Sequence, residues 1–139
     1  HLVTGSSHSS IKLWHWRDNQ WQERNTLQGH SSEVMSLWLL RHRGQLLSAS
    51  WDKTIRCWDL QSEELLWTSE KFPSRLLCVA ADATEQTVAA GCWDIKVYLL
   101  DAESGEMRPS LRGHQDEVSC LAFSPGNLGT FGSWRICGE

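Results

Sequence analysis

Apolar residues fall along this chain in short runs with a period of two, separated by turn formers. The runs Gln45 to Ser50, Thr54 to Trp58, Thr87 to Gly91 and Ile95 to Leu99 are rich in Val, Ile, Leu and Thr, the pattern of short packed strands. No stretch holds helical apolar spacing for long. For the middle of the chain the pattern predicts four strands, Val34 to Leu39, Gln45 to Ser50, Thr54 to Asp59 and Glu64 to Ser69. Alternation in the third sets Ile55 and Cys57 on one face and Thr54, Arg56 and Trp58 on the other.

The strand pattern repeats. "LVTGSSHSSIKLWH" from Leu2 aligns with "LLSASWDKTIRCWD" from Leu46, 44 residues on, and "VAAGCWDIKVYLL" from Val88 is a third copy. The third copy aligns through Trp93-Asp94 at an offset of 42 and through Tyr98 at 40, which places Tyr98 opposite Trp58 across a loop two residues shorter. A second block, "GHSSEVMSLWLL" from Gly29, returns as "GHQDEVSCLAFSP" from Gly113. Repeats of about forty residues point to a propeller, a solenoid or an array, and about four short strands per repeat favour radially stacked blades.

With Gly29-His30, the intervening strands and the closing Trp58-Asp59 in order, the chain resembles part of a WD-repeat β-propeller over essentially Leu2 to Pro125. The expected fold is all-β: a partial propeller of about three four-stranded antiparallel blades, with the ring not closed. The copies divide the chain into residues 1–28, the end of a first repeat; 29–70, a complete repeat; 71–112, a degenerate repeat; and 113–139, the start of a further repeat with an atypical end.

Trp-Asp occurs twice in the middle copy, and the resemblance implies different duties for the two pairs. Trp58 is expected to fill space between blades and, with His30, Asp52 and a hydroxyl at Ser48 or Ser50, to form a hydrogen-bonded chain that makes burial of these polar groups tolerable. Ser, His and Asp also invite a hydrolytic reading. However, the hydroxyl would be engaged by Trp58 inside a blade, and no nucleophile elbow accompanies it. Trp51 lies just before the turn Asp. In the family this position, matched by Ser7 and Trp93, lies on the upper face near the channel, where partners dock. The channel-facing position past the first-strand Val corresponds to Met35, Leu77 and Ser119. Two indoles at equivalent positions suggest an aromatic docking patch, the alternative being that they pack against the next blade or a covering loop.

The copies depart from the pattern. The first has His8 in place of Asp52 and ends in Trp14-His15. The third has Lys71-Phe72 where the Gly-His pair belongs, and Ala90 at the hydroxyl position. Near the end, "NLGTFGSWRICGE" replaces the expected strand and turn, with Trp134-Arg135 imitating Trp51-Asp52 with the opposite charge.

Composition narrows the function. Seventeen acidic against thirteen basic residues give a net charge of -4, which argues against a broad phosphate-binding surface. Five Cys without CxxC spacing or clustered His indicate neither a disulfide framework nor a metal site, and fit a reducing, intracellular setting in the cytoplasm or nucleus. No apolar run is long enough to span a membrane, and no secretory or transit segment is visible. The start at His1 rather than Met, together with too few blades to close a ring, suggests a piece of a larger propeller.

The expected function is therefore a non-enzymatic, cofactor-free scaffold that docks a protein or peptide partner through Trp51, Trp93, Met35, Leu77, Ser119 and Ser7, with the remaining blades of a parent propeller as further partners. Recognition of RNA by the same face, or substrate recruitment for a ubiquitin ligase, is the alternative. The RNA reading is weakened because Asp52 and Asp94 offset the nearby Lys53, Arg56 and Lys96.

Overall fold

The computed structural model describes residues 1–125 and the backbone of a strand at Trp134–Cys137. Strands β1 (Leu2–Gly5), β2 (Ile11–Arg17) and β3 (Gln20–Leu27) form a first antiparallel sheet in the order β1-β2-β3. Strands β4 (Val34–Leu40), β5 (Gln45–Ser50), β6 (Ile55–Asp59) and β7 (Leu65–Thr68) form a second sheet. Strands β8 (Leu76–Ala81), β9 (Thr87–Cys92), β10 (Val97–Asp101) and β11 (Met107–Leu111) form a third. A last pair joins β12 (Cys120–Phe123) to β13 (Trp134–Cys137). The first copy is thus three-stranded, and Trp134 opens a strand rather than a turn like that at Trp51. The rest of the atypical end falls outside the described residues.

The first strands of successive sheets, β1, β4, β8 and β12, lie against one another, so the sheets radiate from a common axis as blades. The ring is not closed. This geometry explains why β5 and β9 lack strict alternation. Each has a strand on both edges and a neighbouring blade across one or both faces, so nearly every residue is buried. The outermost strands β3, β7 and β11 are mostly exposed; β3 is largely polar, whereas β7 exposes Leu65 and Leu66.

Apolar layers hold the blades together, a third one joining Cys78, Ala89 and Val97 of the third blade to Val118 before β12. Ile11, Leu13 and Leu27 of the first meet Leu46 and Trp58 of the second; Leu47, Ala49, Ile55 and Cys57 of the second meet Phe72, Val88, Ala90, Tyr98 and Leu100 of the third. Small residues sit where a first strand crosses its neighbour. A Cβ on Gly5 would come within 2.7 Å of the Val34 Cγ1, and one on Gly91 within 2.5 Å of the Val118 carbonyl. Backbone bonds reinforce these crossings, from Val34 N–H to the Ser6 carbonyl at 3.0 Å and from Val118 N–H to that of Cys92 at 3.3 Å.

Register corrects the alignment of the third copy. Leu46 pairs with Trp58 and Ser48 with Arg56; in the next blade Val88 pairs with Leu100 and Ala90 with Tyr98. Tyr98 therefore occupies the place of Arg56, and Leu100 that of Trp58. The loop is not shortened: Ser50 N–H to Thr54 and Cys92 N–H to Lys96 close turns of equal length, both at 3.2 Å. The aromatic character of Tyr98 drew the sequence alignment two residues out of register.

Candidate functional site

The turn between the second and third strands of each blade organises both the interior network and the upper face. In the second blade Trp58 Nε1–H donates to Ser48 Oγ at 2.9 Å, Ser48 Oγ lies 2.7 Å from His30 Nε2, and His30 Nδ1 lies 2.7 Å from Asp52 Oδ2. An indole only donates and a carboxylate only accepts. Every proton is used if Ser48 O–H donates to Nε2 and His30 carries its proton on Nδ1. Burial by itself pushes the Asp52 carboxyl up, but the hydrogen bonds from His30 and Thr54, the His30 field and the Ser31 N–H outweigh it and hold the carboxyl well below the usual range.

Sequence reasoning missed one member of this network. Thr54 donates both its N–H, at 2.9 Å, and its hydroxyl, at 2.6 Å, to Asp52 Oδ1. Its place two residues after a turn Asp was the available signal. Ser50 has a separate task, accepting from Asp52 N–H at 3.0 Å and donating to the Ser32 carbonyl at 3.2 Å. The Ser48 hydroxyl is wholly buried, with no face toward a substrate.

The neighbouring blades hold their turns differently. In the first, Trp14 Nε1–H donates to Thr4 Oγ1 at 2.8 Å, at the positions of Trp58 and Ser48, while His8 is exposed. In the third, Phe72 stands where His30 would and meets Tyr98 edge to face, with centroids 4.9 Å apart, and the Tyr98 hydroxyl donates to Asp94 Oδ2 at 2.6 Å. Burial and the Asp94 carboxylate push the Tyr98 phenol far up. The thiols of Cys57, Cys78 and Cys92 are free and buried, pushed by burial to about 12, about 11 and about 11, so they serve as protonated core residues.

On the upper face, Trp51 N–H bonds the Glu33 carbonyl at 3.0 Å and Trp93 N–H the Arg75 carbonyl at 2.9 Å, tying each turn to the start of its own innermost strand. Trp93 is 50% exposed and Met35 42%; Ser7 and Ser119 are exposed, and Leu77 is half-buried. Met35 and Leu77 are the extra residues of bulges between Val34 and Ser36 and between Leu76 and Cys78, which explains why they turn out of the ladder. Trp51 is less open than its sequence position suggests. It is half-buried, its Nε1 is enclosed without a hydrogen-bond partner, and the Arg75 guanidinium lies over its ring, 4.6 Å from the centroid. The same guanidinium is 5.8 Å from the Trp93 centroid. Arg75 was not legible as a site residue, because it belongs to the start of a different strand. Among the described residues no group of His, Cys, Asp and Glu could hold a metal ion.

Comparison with known proteins agrees with this architecture. Residues 21–59 and 105–128 match the family described as "WD domain, G-beta repeat". The chain is 29% identical over 126 residues to periodic tryptophan protein 2 of Arabidopsis thaliana, covering 89% of this chain and 14% of the relative. It is 28% identical over 121 residues to autophagy-related protein 16 of the same plant, covering 84% and 23%. With an uncharacterized WD repeat-containing protein of Schizosaccharomyces pombe the identity is 31% over 137 residues, covering 90% and 35%. The chain thus spans a minor part of each of these relatives. Blades built on inner strands around one axis, the His30–Ser48–Trp58–Asp52 chain and these matches together establish that the chain belongs to the WD-repeat family.

Proposed function

We propose that this chain is a non-catalytic docking scaffold whose upper face, built from Trp93, Met35, Trp51, Leu77, Ser119 and Ser7, receives a peptide or protein partner. The observation that carries the reading is the exposure of two large apolar side chains: Trp93 and Met35 stand out of the blades because a tight turn and a bulge aim them there. Rigid blades lose little entropy when a partner binds, and an exposed indole is a strong anchor. Ser48, His30 and Asp52 take no part in binding; their chain holds the turn that presents Trp51.

The setting is intracellular. Relatives named for autophagy, nuclear distribution and mitochondrial division support this, as do the buried free thiols. No helix among the described residues is long and apolar enough to cross a membrane.

The test is proximity labelling with the full-length polypeptide carrying this sequence, wild type against the pair Trp93→Ala and Met35→Ala. Loss of a defined set of neighbours with an unchanged melting temperature supports upper-face docking. An unchanged set of neighbours from a protein that melts normally overturns it.

A further inference from the structure

We propose that Arg75 determines the specificity of this face by receiving the carboxylate of an Asp or Glu side chain from the docked peptide, an inference that rests on upper-face docking. Arg75 is exposed, and its guanidinium lies near two indoles, 4.6 Å from the Trp51 centroid and 5.8 Å from that of Trp93. Among the described residues no carboxylate reaches it at ion-pair distance. Glu33 lies within the field of Arg75, but its carboxylate accepts from the Ser32 hydroxyl rather than pairing with the guanidinium. A guanidinium held over ring faces is restricted in its rotamers yet keeps its N–H edge for a planar acceptor, so less freedom is lost when a carboxylate arrives.

The surroundings select among anions. Among the described residues Arg75 is the one Arg over these rings, while Glu33, whose carbonyl accepts from Trp51 N–H, and Asp94, which follows Trp93 in the chain, are acidic, so a monoanion is accommodated better than a phosphate dianion, which calls for several cations. Apolar Met35, at 42% exposed, and Ile95, at 41%, border the same face, so the residue next to the acid in the partner is apolar. Packing alone does not explain Trp51 either. Its enclosed, unpartnered Nε1–H carries a desolvation cost that an aliphatic side chain would avoid, whereas its ring face is what holds the guanidinium.

The experiment is selection of a displayed random dodecapeptide library on the immobilised full-length polypeptide, with wild type, Arg75→Gln, Arg75→Glu and Trp93→Ala in parallel. Wild type is expected to enrich Asp or Glu beside an apolar residue. A synthetic peptide from that pool should bind Arg75→Gln at least tenfold more weakly, and Arg75→Glu should enrich Lys or Arg instead. Peptides that depend on Trp93 but show no acidic enrichment and bind Arg75→Gln as well as wild type overturn the carboxylate while leaving docking intact. Absence of any Trp93-dependent peptide removes both. Tenfold tighter binding when the selected Glu is replaced by phosphoserine, or Arg75-dependent binding of a single-stranded RNA dodecamer in preference to the peptide, also overturns the assignment.

Discussion

The second and third blades hold the same turn by different chemistry. In the second, Asp52 is reached from outside the sheet: His30, before the first strand, bridges it to Ser48 and Trp58. In the third, Asp94 is reached from within the sheet, by the hydroxyl of Tyr98 four residues on, and the space of the His is filled by Phe72 against the Tyr98 ring. A four-member polar chain and a single phenol with an apolar neighbour give turns of the same length, with Lys53 and Ile95 at φ 70 and 67. The family match passes over residues 60–104, the stretch that contains most of the third blade, although the fold does not. In these two blades the turn Asp is satisfied, and more than one set of residues satisfies it.

Exchanging the central residues breaks the comparison most severely. His30→Phe keeps the aromatic bulk but leaves the Ser48 hydroxyl proton and Asp52 Oδ2 without their imidazole partner, and should cost about 3 kcal/mol in urea unfolding. Phe72→His places a polar ring among apolar side chains where Ala90 offers no hydroxyl, and should cost about 2 kcal/mol. A His30→Phe protein as stable as wild type would show that the polar chain is ornamental.

Acid and alkali should then separate the blades. The Asp52 carboxyl is held below its ordinary value of 3.8, so its stabilisation is fully present above about pH 4 and fades as pH falls. Asp52→Asn should be less stable than wild type at neutral pH and lose less on acidification. The Tyr98 phenol is raised above its ordinary 10.0, so its contribution is present below that pH and fades as pH rises. Tyr98→Phe should cost about 1 kcal/mol at neutral pH, since half-buried Asp94 can turn to water, and should soften the alkaline loss. The buried thiols contribute to that loss from their ordinary 9.0 upward and remain in both proteins.

The blades were legible because alternation and repeat spacing are local properties. Strand limits in the middle copy were read to within a residue or so, and the positions that form the His30 chain carried their own signature. What escaped depends on neighbours in space. Tyr98 looked like a displaced Trp58 because aromaticity was compared and register was not; only pairing with Ala90 fixes its place. Arg75 carried no signal, since nothing in its own segment announces that a turn 24 residues earlier and another 18 residues later bring two indoles to it.

The smallest effect concerns the third turn position. Ser9, Lys53 and Ile95 all adopt left-handed φ, at 63, 70 and 67, because the turn demands it. A β-branched side chain suits that conformation poorly, at a cost of about 1–2 kcal/mol. Asn tolerates it without the full chain entropy of Gly, so Ile95→Asn should stabilise the protein by about 1 kcal/mol in urea unfolding. Lys53→Asn should gain less, because Lys is not β-branched. Ile95 is 41% exposed beside Trp93, so its burial does not explain the strain. If Ile95→Asn raises stability while weakening the selected acidic peptide, the strained apolar residue belongs to the docking face. Equal gains at 53 and 95 with binding unchanged would instead make Ile95 a neutral occupant of its turn.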